Sequence, residues 1–326
     1  MSASVVHVPV LLREVLEHLP VPPGGRVLDL TLGLGGHAQA ILAQADADVR
    51  YLGVDRDPQA RAMAKGRLGS DARITIMAGS YEEVWEDPAF EAWRHLQAPQ
   101  GFDVVLMDLG ISTLHLKDSS RGFSFMEEGP LDMRMDTERG LTAREWIQEQ
   151  SEEELADAIY RFGEERASRP IARSILRALG EGALNTTSDL AQAVYRVIPR
   201  EPAKRKGLSD PATRTFQAIR IAVNGELEGL GAAIEKAASA LKVEGRIGVI
   251  SFHSLEDRIV KQTLRRLAGI HDGPGRVPPS PLPKTLRLIY GGGIAPTEDE
   301  IRSNPPSRSA RLRIGERLPL EAPRVP

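Results

Sequence analysis

Arg26 to His37 reads RVLDLTLGLGGH, and the fold follows from it. Arg26 to Leu30 is a short run rich in Val and Leu, the mark of a buried strand. Gly33, Gly35 and Gly36 come next, and from Ala38 the pattern reads as helix. Strand, glycine turn and helix start form the plan of a nucleotide-cofactor site. Glycine lets backbone approach a ligand closely, and a helix N-terminus presents free N–H groups. GLGGHA also satisfies the loose fingerprint G-x-G-x-x-G/A, although a plain tight turn produces the same letters.

The acidic residues narrow the choice of cofactor. Asp29 ends the first strand, Asp55 ends a second (Arg50 to Val54), and Asp108 ends a later one (Phe102 to Met107). In an open α/β sheet the ligand lies over the carboxyl ends of the strands, so all three carboxylates are expected to line one cleft. A pyrophosphate there meets several negative charges. A cationic sulfonium bearing a ribose diol and an amine is favoured. S-adenosylmethionine has that chemistry and NAD does not.

A chain of 326 residues holds one large domain with an insertion, or two domains. It contains no cysteine, which excludes disulfides and thiolate metal sites. MSASVVHVPVLLREVLEHL lacks the basic start and cleavable apolar core of a signal peptide, and no apolar run approaches the ~20 residues that span a bilayer. A cytoplasmic location and no membrane partner are the expectations. The net charge of −3 argues against a general nucleic-acid binder. Yet Arg196 to Arg220 holds seven basic residues against two acidic ones, and Arg258 to Arg317 twelve against five. Two basic regions on an acidic background suit an enzyme that docks on structured RNA, or else a pair of solvated helix faces.

Strand and helix alternate through Asp108. Val10 to Leu19 reads as an amphipathic helix. Helices from Ala38 to Gln44, from Asp57-Pro58 onward and from Glu82 to Leu96 separate strands at Arg26 to Leu30, Arg50 to Asp55, Arg73 to Ala78 and Phe102 to Asp108. The expected fold is α/β, a doubly wound Rossmann-like sheet. Ile111 to Ser209 shows no convincing strand, only helical patterns near Thr142 to Gln150, Glu152 to Phe162, Arg169 to Leu179 and Ser188 to Val197. The expected domains are therefore a core of 1–111 and 210–326 and a helical insertion of 112–209. Pro211 to Gly225 and Leu227 to Leu241 read as helices, Gly245 to Ser251 as a strand, and Leu286 to Tyr290 with Ser309 to Ile314 as a terminal hairpin. His271 to Pro283 is a Pro-rich loop.

With that order established, TLGLGGHAQAIL, VDRDPQA, DLGIS, RGFSFMEEGPLDMRMD, GEERASRPIARSI, PATRTFQAIRIAVNGEL and ISFHSLEDRIVK closely resemble the bacterial 16S rRNA (cytosine-N4)-methyltransferases. The resemblance runs from His7 to Arg317. It implies a class I methyltransferase sheet and S-adenosylmethionine as cofactor. It also implies methylation of the exocyclic amine of a decoding-region cytidine, position 1402 of 16S rRNA. The small ribosomal subunit is then the expected partner, with a homodimer left open and the insertion as substrate-recognition domain. By the same resemblance Gly35, Gly36 and His37 contact the cofactor, Asp55 accepts from the ribose hydroxyls, Tyr81 lies against adenine, and Asp108 faces the methionine end. His115 stands where the family more often has glutamine.

Transfer to a cytosine amine needs alignment with the S–CH₃ bond and an acceptor for the departing proton. Asp108 is the first candidate, followed by Ser251 and His253. Ser254 to Asp257 also reads as a capping box, in which case His253 only orients the turn. Phe123 or Phe125 could stack on the cytosine, or both could anchor their loop. Arg121 and Arg134 are candidate phosphate ligands. Thr213, Gln217, Arg220 and Asn224 form one polar helical stripe, either a satisfied network or a cleft wall, and Arg220 is counted with the substrate ligands. Asn304-Pro305-Pro306-Ser307 resembles an amino-methyltransferase signature but stands far from the fourth strand and lacks the aromatic residue, so it reads as a turn. No metal site is expected. The competing readings are a non-catalytic S-adenosylmethionine-sensing RNA-binding or ribosome assembly factor and an NAD-dependent dehydrogenase.

Overall fold

Leucine- and valine-rich runs capped by acids pair side by side, and the connecting helices cover both faces. The computed structural model describes residues 8–201, 210–270 and 284–319. Its first half runs α1 (Leu12–His18), β1 (Arg26–Asp29), α2 (Gly36–Gln44), β2 (Arg50–Asp55), α3 (Pro58–Leu68), β3 (Ile74–Ala78), α4 (Pro88–Gln97) and β4 (Phe102–Asp108). The helices α5 (Thr113–Lys117), α6 (Ala143–Glu149), α7 (Glu152–Gly163), α8 (Ser168–Gly180), α9 (Thr187–Tyr195) and α10 (Ala212–Asn224) follow. The chain then returns through α11 (Leu230–Ser239), β5 (Leu241–Ser251), α12 (Ser254–Leu267), β6 (Leu286–Ile294), α13 (Glu298–Ser303) and β7 (Arg311–Arg317).

The seven strands order as β3-β2-β1-β4-β5-β7-β6. The first five pair in parallel, and β7 runs antiparallel to both of its neighbours. This is the doubly wound Rossmann-like fold. One layer, built on Leu28, Leu52, Val105 and Val249, packs against α11 and α12. The other, built on Val27, Tyr51, Val104 and Ile250, packs against α1 and α2.

Three elements differ in extent from the sequence reading. The helix expected from Glu82 to Leu96 is broken, because Asp87 caps a new helix with Pro88 in its first turn and leaves one 3₁₀ turn at Val84–Glu86. β5 starts at Leu241 rather than Gly245. The register shift between Phe102 and Val104, with Glu244 at φ 69, hides its first residues in a polar stretch. The terminal hairpin reaches Ile294 and Arg317. The Pro-rich loop at 271–283 lies outside the described residues, and among those no helix is long and apolar enough to cross a membrane.

The chain forms two compact units, Met1–Gly110 with Leu227–Pro326, and Ile111–Glu226. The sequence placed 210–226 with the core, whereas α10 packs inside the helical unit. Its Ala212, Phe216, Ala218 and Ile219 share a core with Leu155, Ile159 and Ile171. Gly163 permits the contact, since a Cβ there would lie 2.6 Å from the Arg214 carbonyl oxygen.

Three of the four residues in the polar stripe of α10, Gln217, Arg220 and Asn224, are bonded within this unit. Gln217 donates to the Phe162 carbonyl. Asn224 accepts from Met135 N–H at 2.7 Å and donates to the Met133 carbonyl at 2.8 Å, holding Met133 at φ 60. Asn224→Ala leaves buried backbone groups unpaired and should destabilise by about 2–4 kcal/mol in urea unfolding, with faster proteolysis at 121–140.

Candidate cofactor cradle

Register decides which acid can meet a ligand. Asp29 pairs with Gly53 on one side and Leu106 on the other, so Asp55 and Asp108 each stand two residues further toward the carboxyl edge, roughly 6–7 Å higher. Asp29 is accordingly buried and engaged from within. It accepts Tyr51 O–H at 2.8 Å and Thr31 N–H at 3.1 Å. The sequence expected all three carboxylates at the carboxyl edge, but register leaves Asp29 below the level of Asp55 and Asp108. Burial pushes the Asp29 carboxyl from 3.8 up to about 6, opposed by the Tyr51 and Thr31 hydrogen bonds and by His37. Burial and the neighbouring Asp29 likewise hold the Tyr51 hydroxyl well above its usual range. Thr31 carries the support upward, its Oγ1 accepting from the Asp108 N–H.

Above this layer lie Asp55, Asp108 and His37. Asp55 accepts Gly33 N–H at 2.6 Å and Asp57 N–H at 2.8 Å, which ties the glycine turn to the end of β2. Asp108 Oδ2 lies 3.5 Å from His37 Nε2. Asp108 Oδ1 and both ring nitrogens of His37 are buried without a hydrogen-bond partner. Three orphaned polar atoms at the carboxyl edge are costly unless a ligand satisfies them. Gly35 sits at φ 75 and donates its N–H to the Leu32 carbonyl. A Cβ on Gly35 would strike Leu68 at 2.7 Å, and one on Gly36 would strike Pro9 at 2.6 Å. Close packing against Pro9 at Gly36, and φ 75 at Gly35, favour glycine at these two positions. A Cβ on Gly33 would meet only the Thr31 carbonyl oxygen, at an ordinary 3.8 Å. The turn at Asn304 contributes at a distance, its side chain donating to the Val8 carbonyl beside Pro9.

Other expected site residues are engaged by the protein itself. Tyr81 packs into the apolar core with the Arg56 guanidinium 5.5 Å from its ring centroid, so it is a core aromatic rather than an open adenine platform. His253 is itself the N-cap of α12, its Nδ1 facing Glu256 N–H at 3.5 Å and its Nε2 3.2 Å from Glu256 Oε1. The expected cap, Ser254, is instead the first residue inside the helix. Ser251 is buried, its Oγ near Asp257 and the Arg311 carbonyl.

In the helical unit His115 closes a capping box with Ser112, its Nδ1 accepting Ser112 N–H at 3.2 Å. Glutamine can make the same bond from that position. Phe123 is buried against His115 and Arg121, and Phe125 packs edge-on to Phe216 at 4.9 Å. Both phenylalanines therefore anchor their loop. Arg121 is buried and donates to the Arg134 and Met135 carbonyls. Arg134 is held by Asp132 through two bonds, and Arg220 by Glu226. Backbone carbonyls and ion pairs inside the unit thus engage the three arginines that the sequence offered to phosphate. The sequence reading missed Thr31 and Tyr51. Thr31 stands two residues after Asp29, as an Asx turn requires, but Tyr51 becomes its neighbour only through strand pairing.

The chain matches the model of the MraW methylase family over residues 4–318. It belongs to that family. Ribosomal RNA small subunit methyltransferase H of Stenotrophomonas maltophilia strain K279a is 44% identical over 324 residues, 98% of this chain and 96% of the relative. The protein of the same name from Xanthomonas campestris pv. campestris strain B100 is 44% identical over 316 residues, covering 97% and 88%. A solved rRNA methylase from Streptococcus thermophilus aligns over 94% of this chain and 93% of its own at 10% identity and a TM-score of 0.38, too loosely for residue-level comparison. As a methylase of this family the protein uses S-adenosylmethionine. The cradle fits it: the orphaned His37 nitrogens suit the cofactor's polar groups, and the carboxyl groups of Asp55 and Asp108 suit its positive charge.

The layering has a pH signature. A carboxyl whose folded pKa is raised binds more protons folded than unfolded, so its contribution is full below about pH 4 and is lost as pH rises through about 6. Asp29→Asn should therefore gain up to about 3 kcal/mol relative to wild type between pH 4 and pH 7. Denaturant unfolding across that range measures it, and a flat difference would contradict the assignment.

Proposed function

We propose that this methylase transfers the methyl group of S-adenosylmethionine to the exocyclic N4 of the decoding-region cytidine of 16S rRNA, within the small ribosomal subunit and in the cytoplasm. The observation that carries the catalytic part is the buried, unbonded Asp108 Oδ1 at the end of β4 beside His37. RNA as the substrate class rests on the close relatives, which are named as small-subunit rRNA methyltransferases, and on the resemblance of the central motifs.

The bound cofactor supplies an electrophilic methyl group on a positively charged sulfur. Asp108 accepts a hydrogen bond from the N4 amine, turns the nitrogen lone pair toward the methyl carbon and takes the proton as the new bond forms. His37 stands beside its other oxygen, with Nε2 3.5 Å from Asp108 Oδ2. Asp55 accepts from the ribose hydroxyls, as acids at that position do, while its bonds to Gly33 and Asp57 keep it placed. Gly36, at the start of α2, contributes the positive end of the helix. His253 and Ser251, on the neighbouring β5–α12 turn, act as positioning residues.

The decisive experiment is transfer of labelled methyl groups to small subunits lacking the modification, followed by nucleoside analysis. Wild type should yield N4-methylcytidine, and Asp108→Ala should lower the rate roughly 10²- to 10⁴-fold, the span for losing a general base. Equal rates would remove Asp108 from catalysis. Cofactor binding without transfer by wild type would favour a non-catalytic RNA-binding factor.

A further inference from the structure

The outer edge of the sheet holds a strained aromatic that cofactor binding does not explain. β6 follows β7 as far as Ile289 opposite Ile314, then loses register until Ile294 opposite Leu312. Tyr290 to Gly293 bulge out in between. Tyr290 adopts φ 58, a left-handed conformation disfavoured for a bulky side chain. Three glycines stand next to it, any of which takes that conformation freely. Protecting a sheet edge requires only a short, bulged or charged strand. Strain retained at an aromatic directs attention to its ring.

The ring is available. Tyr290 is 58% exposed, with one side resting on His18 at a centroid distance of 5.0 Å. Gly291 and Gly292 face open space. Beside the ring, Lys261, Arg265, Leu288 and Arg313 line a shallow hollow. Arg311 donates to the Gly292 carbonyl, and Lys261 is exposed. Among the acids along this edge, Asp257 is engaged by Arg313 and Glu316 by Arg246 and Arg287, while Glu17 stands beside His18. The patch is therefore basic around an aromatic centre.

Its position matters as well. Arg311 at the start of β7 pairs with Ser251 at the end of β5, and Ile250 pairs with Asp108. The bulge thus lies at the same end of the sheet as the cradle, at the far edge.

We propose that the β6 bulge is a docking site for single-stranded RNA, in which one base stacks on Tyr290 while flanking phosphates lie against Lys261, Arg265 and Arg311. A single strand is required because a duplex hides its base faces. The proposal rests on the rRNA reading above and adds to it a contact outside the cradle.

The test uses the full chain and a fluorescein-labelled oligocytidylate, with an RNA hairpin as comparison. Tyr290→Gly removes the ring while suiting the backbone, so its melting temperature should equal or exceed that of wild type. Its affinity for the single strand should fall roughly 5- to 100-fold, the range for losing one stacked base. Tyr290→Phe should bind as wild type does. Lys261→Gln should reduce the salt dependence by about 0.7 in log–log slope. Affinity for S-adenosylhomocysteine should not change in Tyr290→Gly, and KM for small subunits should rise. Wild-type binding by Tyr290→Gly, in a wild-type enzyme that methylates subunits, would overturn the docking site alone. A higher KM for subunits with unaltered oligocytidylate affinity would overturn it too, pointing to a protein contact. Failure of wild type both to bind RNA and to methylate subunits, while still binding S-adenosylhomocysteine, would overturn the rRNA reading itself.

Discussion

The pairing of β1 with β2 and β4 in parallel sets the chemistry of this protein. By holding Asp29 two residues below the level of Asp55 and Asp108, it divides three acids of one sheet into a buried support and a half-buried edge. The support consists of Tyr51, Asp29 and Thr31, linked by hydrogen bonds up to the backbone of Asp108. Of these two layers, the upper keeps buried polar atoms without partners, Asp108 Oδ1 and the His37 nitrogens. An enzyme that must receive a polar cofactor benefits from this arrangement, because rigid neighbours hold the orphaned atoms in place before the ligand arrives.

Close packing around the glycine turn belongs to the same design. Leu68 and Pro9 fill the volumes that side chains at positions 35 and 36 would need, so α2 begins where the sheet's edge requires it. Asn304, distant in sequence, tethers the segment that carries Pro9. The helix start is thereby fixed by contacts from both ends of the chain.

The helical unit follows a different logic. Three of its arginines, Arg121, Arg134 and Arg220, each find carbonyls or carboxylates of their own unit. A phosphate competing for Arg220 would have to separate a bidentate ion pair that is largely shielded from water. These three arginines are thus engaged within their own unit, while Lys261 and Arg311 at the sheet edge lie beside an open aromatic ring.

Much was legible in the chain. Apolar runs ending in Asp marked the parallel strands, Asp57-Pro58 marked a helix start, and the loss of strand signal after Gly110 marked the helical unit, because these features depend on neighbours within a few residues. The specific motifs carried the family and its cofactor in the same way. Other assignments depended on partners far away in sequence. Whether Asp29 faced a ligand was decided by register against β2 and β4. Whether Phe123, Tyr81 or Arg220 was free to act was decided by His115, Arg56 and Glu226 closing on them. Which helix started at Ser254 and which residue capped it turned on one backbone bond to His253. Local sequence determined the elements and the chemistry they could hold. Tertiary structure alone decided which polar groups were left unsatisfied, since a hydrogen bond is made or denied by whatever the fold brings within 3 Å.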